Sequence, residues 1–351
     1  MSSFAFANGN KRNVTNLWLI DPGIPGHTTQ VEGIGRIFQQ ETGAECVWIS
    51  GKSTRKGLLR SLIRRGSRWV PSGLLPKVAK VIYPEVELPR RKPDLIVTSG
   101  SKTIPLCRLL KRLTGAPSLF LGSIERPRSD YFDLVVLPAT MDLPNEMIVP
   151  LVETGQSSER AAAAAQCRWP DGPPANCWTM VLGGTSSTHV FTAEEWRELA
   201  TEMNRLARLH GIQWLISTSR RTGVETENLL RSILDPSVIR EAIWWGTNPE
   251  KGLAAFLSAG EGVFVTRDSM TMVSEAIAVK EHAGIICPAD CRLKADSIYA
   301  RYLERLEREG RATLHPTRGI SISSASFEPE PIAKSQAKFA AGLIERVRQL
   351  L

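Results

Sequence analysis

The sequence predicts an α/β protein made of two doubly wound domains, and three observations carry that expectation. Short apolar runs recur along the chain, each closed by a glycine-, proline- or hydroxyl-rich turn and followed by a stretch of helical spacing. The alternation lapses in ERAAAAAQCRWPDGPPAN and then resumes. A length of 351 residues is about twice the usual domain size, enough for two cores.

The elements follow in order. VTNLWLID (14–21) is a short apolar run ending at a Pro/Gly turn, which suits a buried parallel strand. GHTTQVEGIGRIFQQETG reads as a helix stopped by Gly43, and CVWIS (46–50) as the next strand. DLIVTSG (94–100) is another strand, 102–113 a helix, and SLFLGS and FDLVVLPA two more strands. The lapse between about 151 and 176 marks the expected boundary. It divides a first domain of residues 1–165 from a second of 176–331, with a final helix over 332–351 left free to pack on either. In the second domain CWTMVLGG, IQWLISTS, AIWWG, GVFVT and AGIICPA read as strands, with helices near 193–209, 225–234, 252–258 and 270–278 between them. Thr192 followed by Glu195 forms a capping box for the first of these helices. Strands alternating with helices imply parallel sheets covered on both faces, whose ligands bind beyond the carboxyl ends of the strands.

Composition narrows the class. Hydrophobic content of 42% and charged content of 23% are ordinary globular values. MSSFAFANGNKRN lacks the apolar core of a signal peptide, and no later run approaches the roughly 18 apolar residues of a membrane span, so a cytoplasmic chain is expected. Among Cys46, Cys107, Cys167, Cys177, Cys287 and Cys291 only the last two lie close together, and a C-x3-C pair without nearby histidines does not make a zinc cluster. No metal is expected. The net charge of +8 is uneven: residues 52–80 carry Lys52, Arg55, Lys56, Arg60, Arg64, Arg65, Arg68, Lys77 and Lys80 and no acid. Leucines and Trp69 interleave with them. Such a segment is either a solvated helix face over buried leucines or a patch for an anionic membrane surface, the latter preferred to nucleic acid because no nucleic-acid motif accompanies it.

Four turns carry the chemistry. DPGIPGHTTQ (21–30) closes the first strand and opens a helix, placing His27, a side chain that moves protons near neutral pH, at the carboxyl edge. Gly183, Gly184, Thr185 and Ser186 occupy the matching turn of the second domain, where backbone and hydroxyl donors can wrap a phosphate. It is neither a Walker motif nor a full G-x-G-x-x-G. Ser219, Arg220 and Arg221 follow the IQWLISTS strand, and two guanidinium groups can grip a pyrophosphate. In TRDSMTMVSEA (266–276) Asp268 is the expected N-cap of a helix whose first turn, at Ser269, faces an anion. Met272 and Ser274 on that helix are expected at the nucleotide-sugar site, and Glu275, two turns on, can accept hydrogen bonds from ribose hydroxyls.

Taken together, DPGIPGHTTQVEGIG, PDLIVTSGSKT, FDLVVLP, VLGGTSSTH, ISTSRRT, WWGTNPEKGLAAFL and VTRDSMTMVSEA resemble the mitochondrial fission ELM1-like family of glycosyltransferases, over about residues 17–290. A more distant similarity is to the peptidoglycan N-acetylglucosaminyltransferase. The resemblance implies a GT-B architecture, two Rossmann-like domains facing across a cleft, with the nucleotide sugar in the C-terminal one. It implies a metal-independent, cofactor-free transfer from a nucleoside-diphosphate sugar to a lipid-linked or envelope glycan such as lipopolysaccharide, at the cytoplasmic face of the inner membrane. By the same resemblance His27 is the base, Gly183, Gly184, Thr185 and Glu275 are donor residues, and Gly23, Gly26, Gln30, Ser99 and Lys102 lie on the acceptor side. A nucleotide-sugar epimerase and a non-enzymatic membrane adaptor are the alternatives.

Overall fold

The apolar runs become central strands because both faces of each are covered, as uninterrupted Val/Ile/Leu stretches require. The computed structural model describes residues 13–52, 71–122, 130–321 and 329–351, and two compact units emerge from it. One comprises Met1–Pro150 with Ala333–Leu351, the other Leu151–Ile332.

In the first unit the described elements run β1 (Asn16–Asp21), α1 (Pro25–Thr42), β2 (Glu45–Ser50), α2 (Leu75–Ile82), β3 (Leu95–Ser99), α3 (Ile104–Thr114), β4 (Ser118–Leu121), β5 (Leu134–Leu137) and β6 (Glu146–Ile148). The sheet has the order β2-β1-β3-β4-β5-β6, with parallel pairs throughout. Gly43 ends α1 in the left-handed conformation, φ 69°, which L side chains rarely adopt. The chain passes from β1 to β2, then crosses back to place β3 on the other side of β1. Strand order therefore reverses between β1 and β3, the topological switch point at which open α/β sheets bind ligands.

The second unit opens with α4 (Ser158–Arg168). There follow β7 (Cys177–Leu182), β8 (His189–Val190), α5 (Ala193–His210), β9 (Gln213–Thr218), α6 (Val224–Ile233), β10 (Ile239–Ile243), α7 (Leu253–Ala259), β11 (Gly262–Thr266), α8 (Met270–Lys280), β12 (Ala283–Ile286), β13 (Asp290–Cys291), α9 (Ile298–Arg308) and β14 (Ala312–His315). Its sheet, β10-β9-β7-β11-β12-β14, is also parallel, and reverses between β7 and β11. The β8 and β13 segments pair separately as an antiparallel ribbon. The capping box forms as the spacing predicts, with Thr192 and Glu195 bonding each other's backbone.

Three of the expected elements differ from the sequence reading, and α2, β6, α9 and β14 are among the elements it did not foresee. The alanine stretch expected to mark the boundary is α4, capped by Ser157 and packed on α7 through Ala161 and Ala165 and a Trp169–Phe256 stack at 6.0 Å. Alanine is the strongest helix former, so a linker-like composition still folds, and the second unit begins at Leu151 rather than near 176. The strand expected over AIWWG ends at Ile243, leaving Trp244 and Trp245 beyond the sheet edge. The C-terminal helix, α10 (Ile332–Arg348), belongs with the first unit from Ala333 on: Phe339, Leu343, Ile344 and Val347 join Leu17, Leu19, Val31 and Phe38 in one core. Arg60, Arg64, Arg65, Arg68 and Trp69 lie outside the described residues, and no described helix is long and apolar enough to cross a membrane.

Leu343 is fully buried, so Leu343→Ala should cost about 2–5 kcal/mol. Hydrogen exchange should show faster opening of β1 and β3 and unchanged protection in β7 and β11; equal loosening of both sheets would mean the helix is not part of the first core.

Candidate functional site

The switch point of the first unit gathers the residues expected on its acceptor side. Asp21 ends β1 and accepts from the Gly23 amide (2.9 Å) and the Thr28 hydroxyl (2.6 Å), which fixes the turn into α1. Gly23 has φ +69° there. Ser99, at the end of β3, is fully buried, and its Oγ lies 3.0 Å from His27 Nδ1, from Gln30 Oε1 and from the Leu121 carbonyl. A hydroxyl has one proton. In the tautomer with Nδ1 protonated, the Ser99 proton goes to the Leu121 carbonyl or to Gln30 Oε1 and its lone pair receives the His27 Nδ1–H, which leaves the Nε2 lone pair open. Burial holds the imidazole below its ordinary pKa, with the Gln30 hydrogen bond opposing, so the ring is neutral at neutral pH. Gly100 lets the ring sit against β3's turn: a Cβ there would stand 3.2 Å from His27 Cδ2. Gly26 and Lys102 are exposed at the same edge, and the Lys102 carbonyl accepts from Tyr83 (2.7 Å).

At the switch point of the second unit three loops interlock. A Cβ on Gly183 would fall 2.0 Å from Asp268 Oδ1, and one on Gly184 2.1 Å from the Arg221 carbonyl oxygen. Both glycines are thus required by close approach of neighbouring turns. The Gly183 amide donates to Thr266 Oγ1 (2.6 Å), whose hydroxyl donates to Asp268 Oδ1 (2.8 Å), and Arg221 Nη2 meets Asp268 Oδ2 at 2.5 Å. The expected N-cap role of Asp268 is corrected here: the cap is Ser269, whose Oγ accepts from the Met272 amide at 3.4 Å. Asp268 instead holds Arg221, and its side chain is fully buried. One of the two arginines expected to grip a pyrophosphate therefore already has a counter-ion. Thr185 is exposed, while Ser186 Oγ accepts from the amides of Thr188 and His189 within its own loop. Ser274 is buried and bonded to the Met270 carbonyl (2.8 Å) and the Tyr302 hydroxyl (2.7 Å), so the structure gives it a packing role.

Beside this knot the second unit holds a cavity of about 890 Å³ lined by Ser219, Arg220, Met272 and Glu275 among others. Arg220 and Lys251 line it without an ion-pair partner among the described residues. Glu275 likewise has no hydrogen-bond or ion-pair partner among them, and burial pushes its pKa up to about 7. Sequence reading had missed two further parts of the wall and a brace behind it. Trp245 is half-buried there, its amide donating to Thr218 Oγ1 at 2.7 Å. Glu227, fully buried, braces the same turn by accepting from Thr218 Oγ1 (2.6 Å) and the Gly246 amide (2.8 Å). Arg168 of α4 lines the cavity too, ion-paired to Glu241 and Glu250. The signal for Trp245 was present in the quoted WWGTNPEKG segment; that for Arg168 was hidden in the apparent linker. Among the described residues no group of three or more His, Cys, Asp or Glu is arranged to hold a metal ion.

Residues 25–346 match the model of a family described as mitochondrial fission ELM1. No curated protein matches the chain. Among solved structures, the UDP-GlcNAc 2-epimerase from Methanocaldococcus jannaschii is similar at 11% identity and TM-score 0.55, covering 94% of this chain and 99% of that one. The ADP-heptose LPS heptosyltransferase II of E. coli (12%, TM-score 0.46, 95% and 99%) and MurG of Acinetobacter baumannii (12%, TM-score 0.48, 95% of each) are also similar. At such identities the likeness is one of fold: two Rossmann-like units of the GT-B type.

Glu275 gives a test of the cavity's electrostatics. Its folded pKa is raised from an ordinary 4.5 to about 7, so the group favours folding when protonated, and that contribution is lost as pH rises through about 7. Glu275→Gln should therefore melt higher than the wild type at about pH 8, by up to about 3 kcal/mol in stability, with the gap closing below about pH 4.5. A gap that is independent of pH would show that the carboxyl is not desolvated.

Proposed function

This chain belongs to the mitochondrial fission ELM1 family, and we propose that it is a glycosyltransferase that takes its sugar from a nucleoside diphosphate bound in the C-terminal unit. The observation that carries this reading is Glu275: a desolvated carboxyl lining a cavity with two cations, Arg220 and Lys251, none of the three having an ion-pair partner among the described residues. A ribose diol supplies the two donors that such a carboxyl lacks. Arg220 and the Met270 and Thr271 amides at the start of α8, which no carbonyl within the helix can satisfy, suit the diphosphate, and the Trp245 indole offers a face for the base. Charge developing on the departing diphosphate is then stabilised by fixed protein groups, so the transfer needs no metal.

An inverting transfer also needs a base for the acceptor hydroxyl. In this reading His27 is neutral with its proton on Nδ1 toward Ser99, and Nε2 takes the proton of the acceptor hydroxyl. The acceptor in this reading is a lipid-linked or envelope glycan at the cytoplasmic face of a membrane, reached through the basic and apolar segment at residues 52–80.

A thermal-shift panel of UDP, GDP, ADP, CMP and TDP, with and without magnesium, decides the donor. One of them at about a hundred times its Kd should add roughly 2.7 kcal/mol without magnesium, and Glu275→Ala should abolish the shift. The wild-type affinity should weaken below about pH 7 as Glu275 takes up a proton. A flat panel would sink the transferase reading and leave the non-enzymatic membrane adaptor. With donor and acceptor in hand, His27→Ala should lower kcat by about a hundredfold or more while leaving the nucleotide shift intact; an unchanged kcat would remove His27 from the chemistry.

A further inference from the structure

The second unit contains another cavity, of about 570 Å³, which shares no lining residue with the first. It lies at the carboxyl ends of β11, β12 and β14, where Arg267, Cys287 and His315 follow or end those strands, and it is closed by Glu195, Glu198 and Arg318. Arg267 is the chain neighbour of Asp268, so the cavity starts one residue from the switch point.

Its acids are already engaged. Glu195 Oε2 accepts from Thr192 in the capping box, and Oε1 accepts from the Ala289 amide at 2.6 Å. Glu198 Oε2 accepts from Thr317 at 2.8 Å, and its other oxygen is 3.9 Å from the exposed Arg318. Arg267 is in the opposite position. No carboxylate is in ion-pair contact with it among the described residues, and its Nε is buried without a hydrogen-bond partner. The thiol of Cys287 beside it supplies no counter-charge, because burial pushes that thiol up to about 11 even though Arg267 works against the shift. His315 completes the set: it is 7% exposed, and neither ring nitrogen has a hydrogen-bond partner among the described residues. Burial, with His282 nearby, keeps it neutral, so one nitrogen presents an N–H. A guanidinium whose Nε is buried without a partner and which has no ion-paired carboxylate among the described residues, lining the same cavity as an unengaged imidazole, is costly unless something binds there.

We propose that this cavity is an oxyanion subsite, separate from the nucleotide cavity, that takes a phosphate or carboxylate group against the Arg267 guanidinium with His315 as its neutral donor. The guanidinium fork matches either anion with two parallel hydrogen bonds. In sugar transfer the anion is borne either by the transferred sugar or by the acceptor.

The test uses the full chain and inorganic phosphate as probe, read by thermal shift and by 31P line broadening, with and without saturating UDP. Phosphate should stabilise the wild type, and its effect should add to that of UDP. Arg267→Gln should weaken phosphate binding roughly tenfold or more while Glu275→Gln leaves it unchanged. Arg267→Lys, which keeps the charge but loses the fork, should fall between, and it serves if the glutamine variant does not fold. No response to phosphate, displacement of phosphate by UDP, or full binding in both Arg267 variants each overturns the proposal. Because phosphate is tested alone, failure of the nucleotide reading leaves this result standing. UDP-glucuronate compared with UDP-glucose then locates the source: tighter binding of the glucuronate that depends on Arg267 places the anion on the transferred sugar, and equal binding places it on the acceptor.

Discussion

No side chain fits at position 183. The carboxylate of Asp268 occupies the space a Cβ would need, 2.0 Å away, and much of the second unit's functional edge depends on that approach. Asp268 is buried, and Arg221 and Thr266 both reach its carboxylate. Arg221 can do so because Gly184 lets the turn after β9 close on the turn after β7. The turns following three adjacent strands are thereby tied into one piece. A buried ion pair contributes little net stability, but removing one partner strands the other's charge, so the knot is specified more by what cannot be changed than by strong attraction.

Around this knot several charges are left without partners among the described residues: Glu275, Arg220 and Lys251 line one cavity, and Arg267 lines another with the unengaged His315. A fold optimised for stability alone would pair them, as it pairs Arg168 with Glu241 and Glu250 next door. Perturbed and unpaired groups gathered at a strand edge mark binding sites, where stability is given up for ligand contacts.

Much of this was legible in the sequence, for a physical reason. Strands buried on both faces must be continuously apolar, so β1, β3, β7 and β11 declare themselves, and their carboxyl ends and the segments just beyond them hold His27, Ser99, Gly183 and Asp268. Contacts distant along the chain were not legible. Asp268 as an N-cap was the sound local expectation, and only Arg221, 47 residues away, redirects it. Ser274 looked available until Tyr302 claimed its hydroxyl. The alanine stretch read as a linker because the residue that makes it part of a core, Phe256, belongs to α7. His315 and Arg267 gave no local signal, since what distinguishes them is the lack of a partner for the imidazole and for the Arg267 Nε among the described residues.

The return of α10 to the first unit bears on how the chain is made. Val14 and Leu17 share a core with Leu343 and Val347, more than three hundred residues later. The second unit, by contrast, is contiguous from Leu151 to Ile332. During synthesis its residues all emerge before α10 does, so it can complete its core first. The first unit must wait, its apolar β1 face uncovered, until the last helix leaves the ribosome, and closing so long a loop is slow. The N-terminal half of this protein is therefore the later to mature, and in the interval the half exposed to chaperones and proteases.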